Sequence, residues 1–369
     1  MTEVKDTATE LPWIRYDQNP YGVPLLDLRP ITFQLGSEME DAMLKNLDSY
    51  SMEDGASFSG LSPILEAGRE VHCDLAYKTA GKLYAGSLFV PATPEDRWAI
   101  FFDGVDIYFV RSWSKELVAK ATVELSDHQL KIISIEGAIT DSGIETDNQT
   151  IALVNFLMLS HVLNETAPVP LLNELEPEPN RAAVWAFSLF GHRAKVGVFD
   201  ENAIFNSDRV IRSTTAYHIA IANNDDGSVK LILDQGLVDK NLLAQDGFTP
   251  IHWALYTDHY EMMKLLVDKG VDVNARSLNG TTPLMDAVEL KSVKGVEALL
   301  ELGAEVDCDD ARGFTALHRA AGMGQDQVAR KLLIKGADAF KTSDNGLTAL
   351  DLAKERNHEA IITLLTEKD

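Results

Sequence analysis

Asp246-Gly247, Asn279-Gly280, Arg312-Gly313 and Asn345-Gly346 recur at intervals of 33 residues in the C-terminal part of the chain. A fixed period of that length marks a stack of like supersecondary units, none of which can bury its apolar face alone. Each pair turns the chain, glycine supplying the positive φ that other residues resist. Three residues after each pair begins comes a threonine: Thr249, Thr282, Thr315 and Thr348. A threonine hydroxyl there can accept from the free amides that open a helix. Pro250 and Pro283 follow directly, where the missing N–H of proline costs little. Met262, Leu265 and Leu266, then Val296, Leu299 and Leu300, fall at helical spacing in the second half of their units. Gly236, Gly270, Gly303 and Gly336 stand where a left-handed cap would end those helices.

The motifs TPIHWA (249–254), TPLMDA (282–287), TALHRA (315–320) and TALDLA (348–353), with a looser copy around Thr215–Ile221, resemble the ankyrin family. The resemblance covers about residues 213–369 and implies about five repeats in an α-helical solenoid with a concave face. Such surfaces mostly bind proteins. It implies that the first-helix residue after the histidine position faces the groove, here Trp253, Asp286, Arg319 and Leu352. Tyr256, Glu289 and Met323 join them as expected partner-binding residues. Phe248 and Phe314, after the turn glycines, and Arg276, Asp309 and Asp310, at the hairpin tips, complete the set. His218, His252 and His318 recur at one repeat position without cysteine or carboxylate at ligand spacing, so they are expected to bond locally and hold no metal.

Upstream, residues 1–200 form the other expected domain, of unassigned family. Pro12, Pro20, Pro24 and Pro30 mark 11–35 as an irregular lead-in, and 38–50 reads as a helix with Met39, Met43, Leu44 and Leu47 on one face. From about Glu70 to Glu136 short strands follow one another. WAIFF-DG-VDIYFV is the clearest hairpin, with Asp103-Gly104 at its turn. Strands joined by short turns predict an antiparallel meander, covered by a helix over 148–163. The expected fold is α+β. The Pro/Glu-rich run 167–180 reads as a surface excursion, and Arg111 is placed to pair with a carboxylate on a facing strand. No phosphate-binding glycine loop, CxxC pair or HExxH motif occurs, so no catalytic residue and no cofactor is assigned. His72, Cys73 and Asp74 are neighbours on a strand and point alternately to opposite faces, which keeps them from one site. Asp96 and Asp106 are expected in solvent.

The net charge is −24, about −15 in residues 1–200 and −9 in the rest. Such a surface repels nucleic-acid phosphates and anionic membranes, so neither is an expected partner. It favours a protein partner with a basic surface. Two cysteines imply no disulfide framework, and no apolar run spans a bilayer, so the expected location is cytoplasmic. The first reading is therefore a binding protein without chemistry. Its alternatives are an acidic, immunity-type neutraliser of a basic toxin or effector, and an enzyme in residues 1–200 that the repeats direct to its substrate. Oligomeric state is not legible.

Overall fold

The computed structural model describes residues 11–36, 45–46, 49–50 and 53–366. The chain divides into two compact units, Met1–Thr215 and Ala216–Asp369. The first is built mostly of β-strands and the second of helices, an α+β fold overall. Met39, Met43, Leu44 and Leu47, expected on a helix, lie outside the described residues.

The first unit contains β1 (Trp13–Ile14), β2 (Leu25–Asp27), β3 (Glu70–Thr79), β4 (Gly86–Phe89), β5 (Trp98–Phe102) and β6 (Asp106–Arg111). It continues with β7 (Leu117–Ser126), β8 (Gln129–Gly137), β9 (Pro168–Pro170), β10 (Val196–Val198) and β11 (Val210–Ile211). The expected meander is present as β4 to β8, each strand antiparallel to the next. Sequence order fails at its edge. β3 pairs with β8 rather than β4, and β11 lies parallel to β3 outside it.

Burial on both faces explains why β5 is apolar throughout. Trp98, Ile100 and Phe102 of β5 enter the main core, while Ala99 and Phe101 enter a second cluster with Phe58 and Tyr108. At the expected hairpin, Asp103 Oδ1 accepts from the amides of Val105 (2.9 Å) and Asp106 (2.8 Å). Its Oδ2 accepts from the Tyr108 hydroxyl at 2.7 Å. The covering helix runs Asp147–Leu157 behind a Thr146/Gln149 capping box, then widens into a π turn at Met158–Val162.

Two stretches expected to be irregular are structural. β1 and β2 from the lead-in, with β10 and β9, make a four-stranded sheet in the order β1-β2-β10-β9. The run 167–180 is no excursion at its start: Ala167, Val169 and Leu171 are fully buried, and Pro179 opens the helix Pro179–Phe190. Pro168 and Pro170 fit because β9 is an edge strand, where a missing N–H leaves no ladder bond unmade.

The seven-stranded sheet is also closed on itself. Val210 and Ile211 pair with β3 at one edge, and a few residues later Thr214 exchanges both backbone hydrogen bonds with Ser87 of β4 at the other, at 2.9 and 2.8 Å. The strand beside Thr214 starts at Gly86, where a Cβ would stand 2.3 Å from the Thr214 carbonyl oxygen. Gly86→Ala is therefore expected to destabilise the first unit by roughly 1–3 kcal/mol, as overpacking does. Scanning calorimetry on the whole chain would show one transition lowered; unchanged melting would mean that the closure contributes nothing.

The second unit holds five helix pairs among the described residues. Thr249, Thr282, Thr315 and Thr348 each accept from the amide three residues on, at 3.2–3.4 Å, as caps should. Apolar faces of successive pairs share one core, which includes Ile251, Leu266, Leu284, Leu299, Leu317 and Leu332. A polar ladder runs beside it. Asn241, Asn274 and Asp307, at the 33-residue period, accept from the amides of Asp272, Glu305 and Asp338 in the following repeat, at 2.9–3.0 Å. Asn and Asp at that period carry the signal, beside the stronger turn pairs.

Candidate partner-binding groove

The first helices Pro250–Tyr256, Pro283–Glu289 and Ala316–Gly322 place the expected groove residues along one row. The structure does not leave them equally free. Asp286 is buried, and its Oδ2 accepts from the Tyr256 hydroxyl at 2.6 Å and lies 3.6 Å from His252 Nε2. Arg319 is largely buried and donates to Asp310 Oδ2 at 2.9 Å and to Glu289 of the preceding repeat. Asp310 is buried too, because its Oδ1 organises the turn by accepting from the amides of Arg312 (2.9 Å) and Phe314 (3.0 Å). Each link spans 30 residues: Tyr256 to Asp286, Glu289 to Arg319. The last position of one first helix thus bonds to the fourth of the next, making a seam that stitches repeats together.

At the tips, Arg276 donates to the carbonyl of Asp309 and lies 3.6 Å from its carboxylate, which Lys341 approaches to 2.9 Å. Lys341 and Arg276 hold the Asp309 carboxyl below its usual range, the hydrogen bond from Lys341 being the main cause. Phe248 packs edge-on against Tyr256 (5.0 Å between ring centres), and Phe314 against His318 (5.6 Å). Trp253 is half-buried beside His218, its indole N–H 3.5 Å from Asp246.

Beside the exposed Glu289, apolar side chains of the row stay in solvent. Tyr256 is 41% exposed, Met323 38%, and Leu290, which neighbours Glu289 and was not anticipated, 48%. Leu290 and Met323 are 33 residues apart and so hold the same repeat position. Burial, and then Asp286, raises the Tyr256 hydroxyl above its ordinary range, so the phenol remains a donor at neutral pH.

The histidines bond locally. His218 and His318 set Nε2 3.0 and 3.1 Å from the carbonyls of Leu242 and Leu347, and Nδ1 of His252 and His318 meets the capping threonine hydroxyl at 2.7 and 2.9 Å. A sequence profile for ankyrin repeats matches the chain three times, over residues 198–277, 217–310 and 302–369. The helical unit is an ankyrin-repeat domain. Protein–protein interaction is the role that such repeats support. The profile reaches upstream to residue 198, whereas β10 and β11 belong to sheets of the first unit. The N-terminal region matches no family, and no curated protein matches the chain.

In the N-terminal unit, burial and the adjacent Asp74 push the Cys73 thiol up to about 11, so it is a protonated thiol at neutral pH. Asp96 is not in solvent: its carboxylate is buried and accepts from the amides of Ala92 and Thr93, both at 3.0 Å. Arg111 forms no ion pair among the described residues. Its guanidinium lies 4.2 Å over the Trp98 ring and donates to the carbonyls of Ile139 (3.0 Å) and Leu189 (3.3 Å). Among the described residues, no three His, Cys, Asp or Glu side chains converge on one point. No helix among them is long and apolar enough to cross a membrane.

Proposed function

We propose that this protein binds a protein partner through the apolar row of its ankyrin groove, with Tyr256, Leu290 and Met323 as anchors and Trp253 at one end. The observation that carries this reading is the division of labour within the row. Its charged members are satisfied within the row, Asp286 by the Tyr256 hydroxyl and Arg319 by Glu289 and Asp310, while aromatic and aliphatic side chains on the same face remain in water. Internally bonded polar groups flanking exposed apolar anchors are the chemistry of an interface centre. An interface over several repeats would bury roughly 1,200–2,000 Å². The net charge of −24 acts at longer range and favours a partner with a basic surface.

A charge placed on the exposed anchors tests this without touching the core. Leu290→Asp/Met323→Asp is expected to weaken partner capture on the order of tenfold or more, since each hot-spot anchor contributes about 1 kcal/mol or above. Ile334→Asp, at a 77% exposed second-helix position, is expected to leave capture unchanged. Affinity capture from the source cells, followed by interferometry on the recovered protein, reads both. Equal capture by all three proteins would remove the groove from consideration.

A further inference from the structure

The N-terminal unit contains two arginines in one cavity, neither in an ion pair among the described residues. Arg97 stands immediately before β5 and Arg111 ends β6, and the pairing of Trp98 with Arg111 brings the two side by side. The cavity they line measures about 440 Å³ and also presents Trp113, Ser114, Asp141 and Ser188. The Arg97 guanidinium is held between rings, 4.0 Å from the centre of Trp113 and 5.1 Å from that of Phe187. Stacking fixes its plane, and its N–H edge makes no hydrogen bond among the described residues. Its Nε is buried without a hydrogen-bond partner, and its side chain enters no ion pair among the described residues. Arg111 is fixed by Trp98 and two carbonyls, groups that orient a guanidinium without neutralising it.

A half-buried cation without an ion pair is costly, and two of them close together more so. Burial pushes Arg111 down to about 10, against upward pulls from Asp141, Glu145 and Glu116, with Arg97 adding to the downward push. Asp141 is the one carboxylate that lines the cavity among the described residues; it is exposed and stands beyond ion-pair distance of both arginines. The hydroxyls of Ser114 and Ser188 are already turned to Glu116 (2.6 Å) and to the Trp185 carbonyl (2.7 Å), so the guanidinium edges supply the free donors. In a half of the chain whose net charge is about −15, two unpaired arginines at one point are the exception that needs a cause.

We infer that this cavity is a binding site for a small dianionic ligand, one bearing a phosphate or two carboxylates, clamped by the edges of Arg97 and Arg111 beside the Trp113 ring. Two preoriented forks match the paired oxygens of either group. The site is independent of the ankyrin groove.

Calorimetric titration of the whole chain with inorganic phosphate and, separately, with succinate tests the inference and distinguishes the two chemistries. At least one probe is expected to bind with a dissociation constant below about 1 mM at low salt. Arg97→Met, which keeps an apolar side chain between Trp113 and Phe187, is expected to abolish binding. Asp141→Asn, at an exposed position, is expected to tighten it several-fold by removing the competing carboxylate. A structural role for the arginines alone would produce no gain from that second variant. Absence of heat with both probes up to about 10 mM, in the wild type and in Asp141→Asn, would overturn the inference. So would binding that survives Arg97→Met, since it would then belong to another surface.

Discussion

Arg319→Ala is expected to destabilise the ankyrin unit by about 3 kcal/mol. Breaking a buried ion pair from one side costs roughly 3–5 kcal/mol because the other charge is stranded. The stranded group is Asp310, whose side chain is 5% exposed and which loses its only cation among the described residues. Two features keep the expected cost at the lower end. Asp310 keeps its two backbone donors from the turn, and Glu289, the second partner of Arg319, is half-exposed and can be hydrated. A double-mutant cycle by urea unfolding isolates the pair. Asp310→Asn retains a turn-forming acceptor, so Arg319→Ala/Asp310→Asn is expected to cost less than the two single changes summed, by at least about 1 kcal/mol. Strict additivity would show that the pair contributes nothing. The consequence for function is direct. Lost partner capture by an Arg319 variant would report a weakened fold as readily as a lost contact, which is why Leu290 and Met323 are the cleaner probes of the groove.

This difference also shows where sequence reading stops. Caps, turns and helix ends of the repeats obey local rules, so Thr249, Gly247 and their counterparts at the 33-residue period could be placed directly. Asp286, Arg319 and Asp310 read as free groove charges because their partners lie in the neighbouring repeat or across a turn. The 30-residue offset of the seam has meaning only once first helices are stacked side by side. In the other unit, β5 and β6 were legible from alternation and the Asp103-Gly104 turn. The four-stranded sheet was not, since strands of two or three residues carry no period to detect. Arg97 and Arg111 escaped for a further reason: a cation over a ring leaves no trace in spacing or composition, and the ordinary expectation for arginine on a strand is a carboxylate.

The second large effect expected is acid unfolding of the ankyrin unit, set by its buried histidines. His218 and His252 are fully buried, and burial pushes both down to about 4, against weaker upward pulls from the Leu242 carbonyl and from Asp286 respectively. His318 is lowered as well, chiefly by burial. In the unfolded chain each titrates near 6.5. Above that value neither state binds the proton, and the full stability is present. As pH falls below about 6.5 the unfolded chain takes up protons that the native repeats exclude, so stability declines until the native histidines titrate near 4. A shift of that size corresponds to about 3 kcal/mol for each of His218 and His252, together comparable to the whole stability of a typical domain. Hydrogen exchange of peptides from residues 216–366 in the intact protein is expected to show global opening that rises steeply between pH 6.5 and 4.5. The third repeat supplies the control, because Met285 occupies the histidine position there and is fully buried. His252→Met should flatten the pH dependence by about one proton's worth, whatever it costs in stability at neutral pH. Wild type and variant opening with the same slope would mean that the imidazoles are protonated in the native fold, and that acid acts on the repeats through their carboxylates instead.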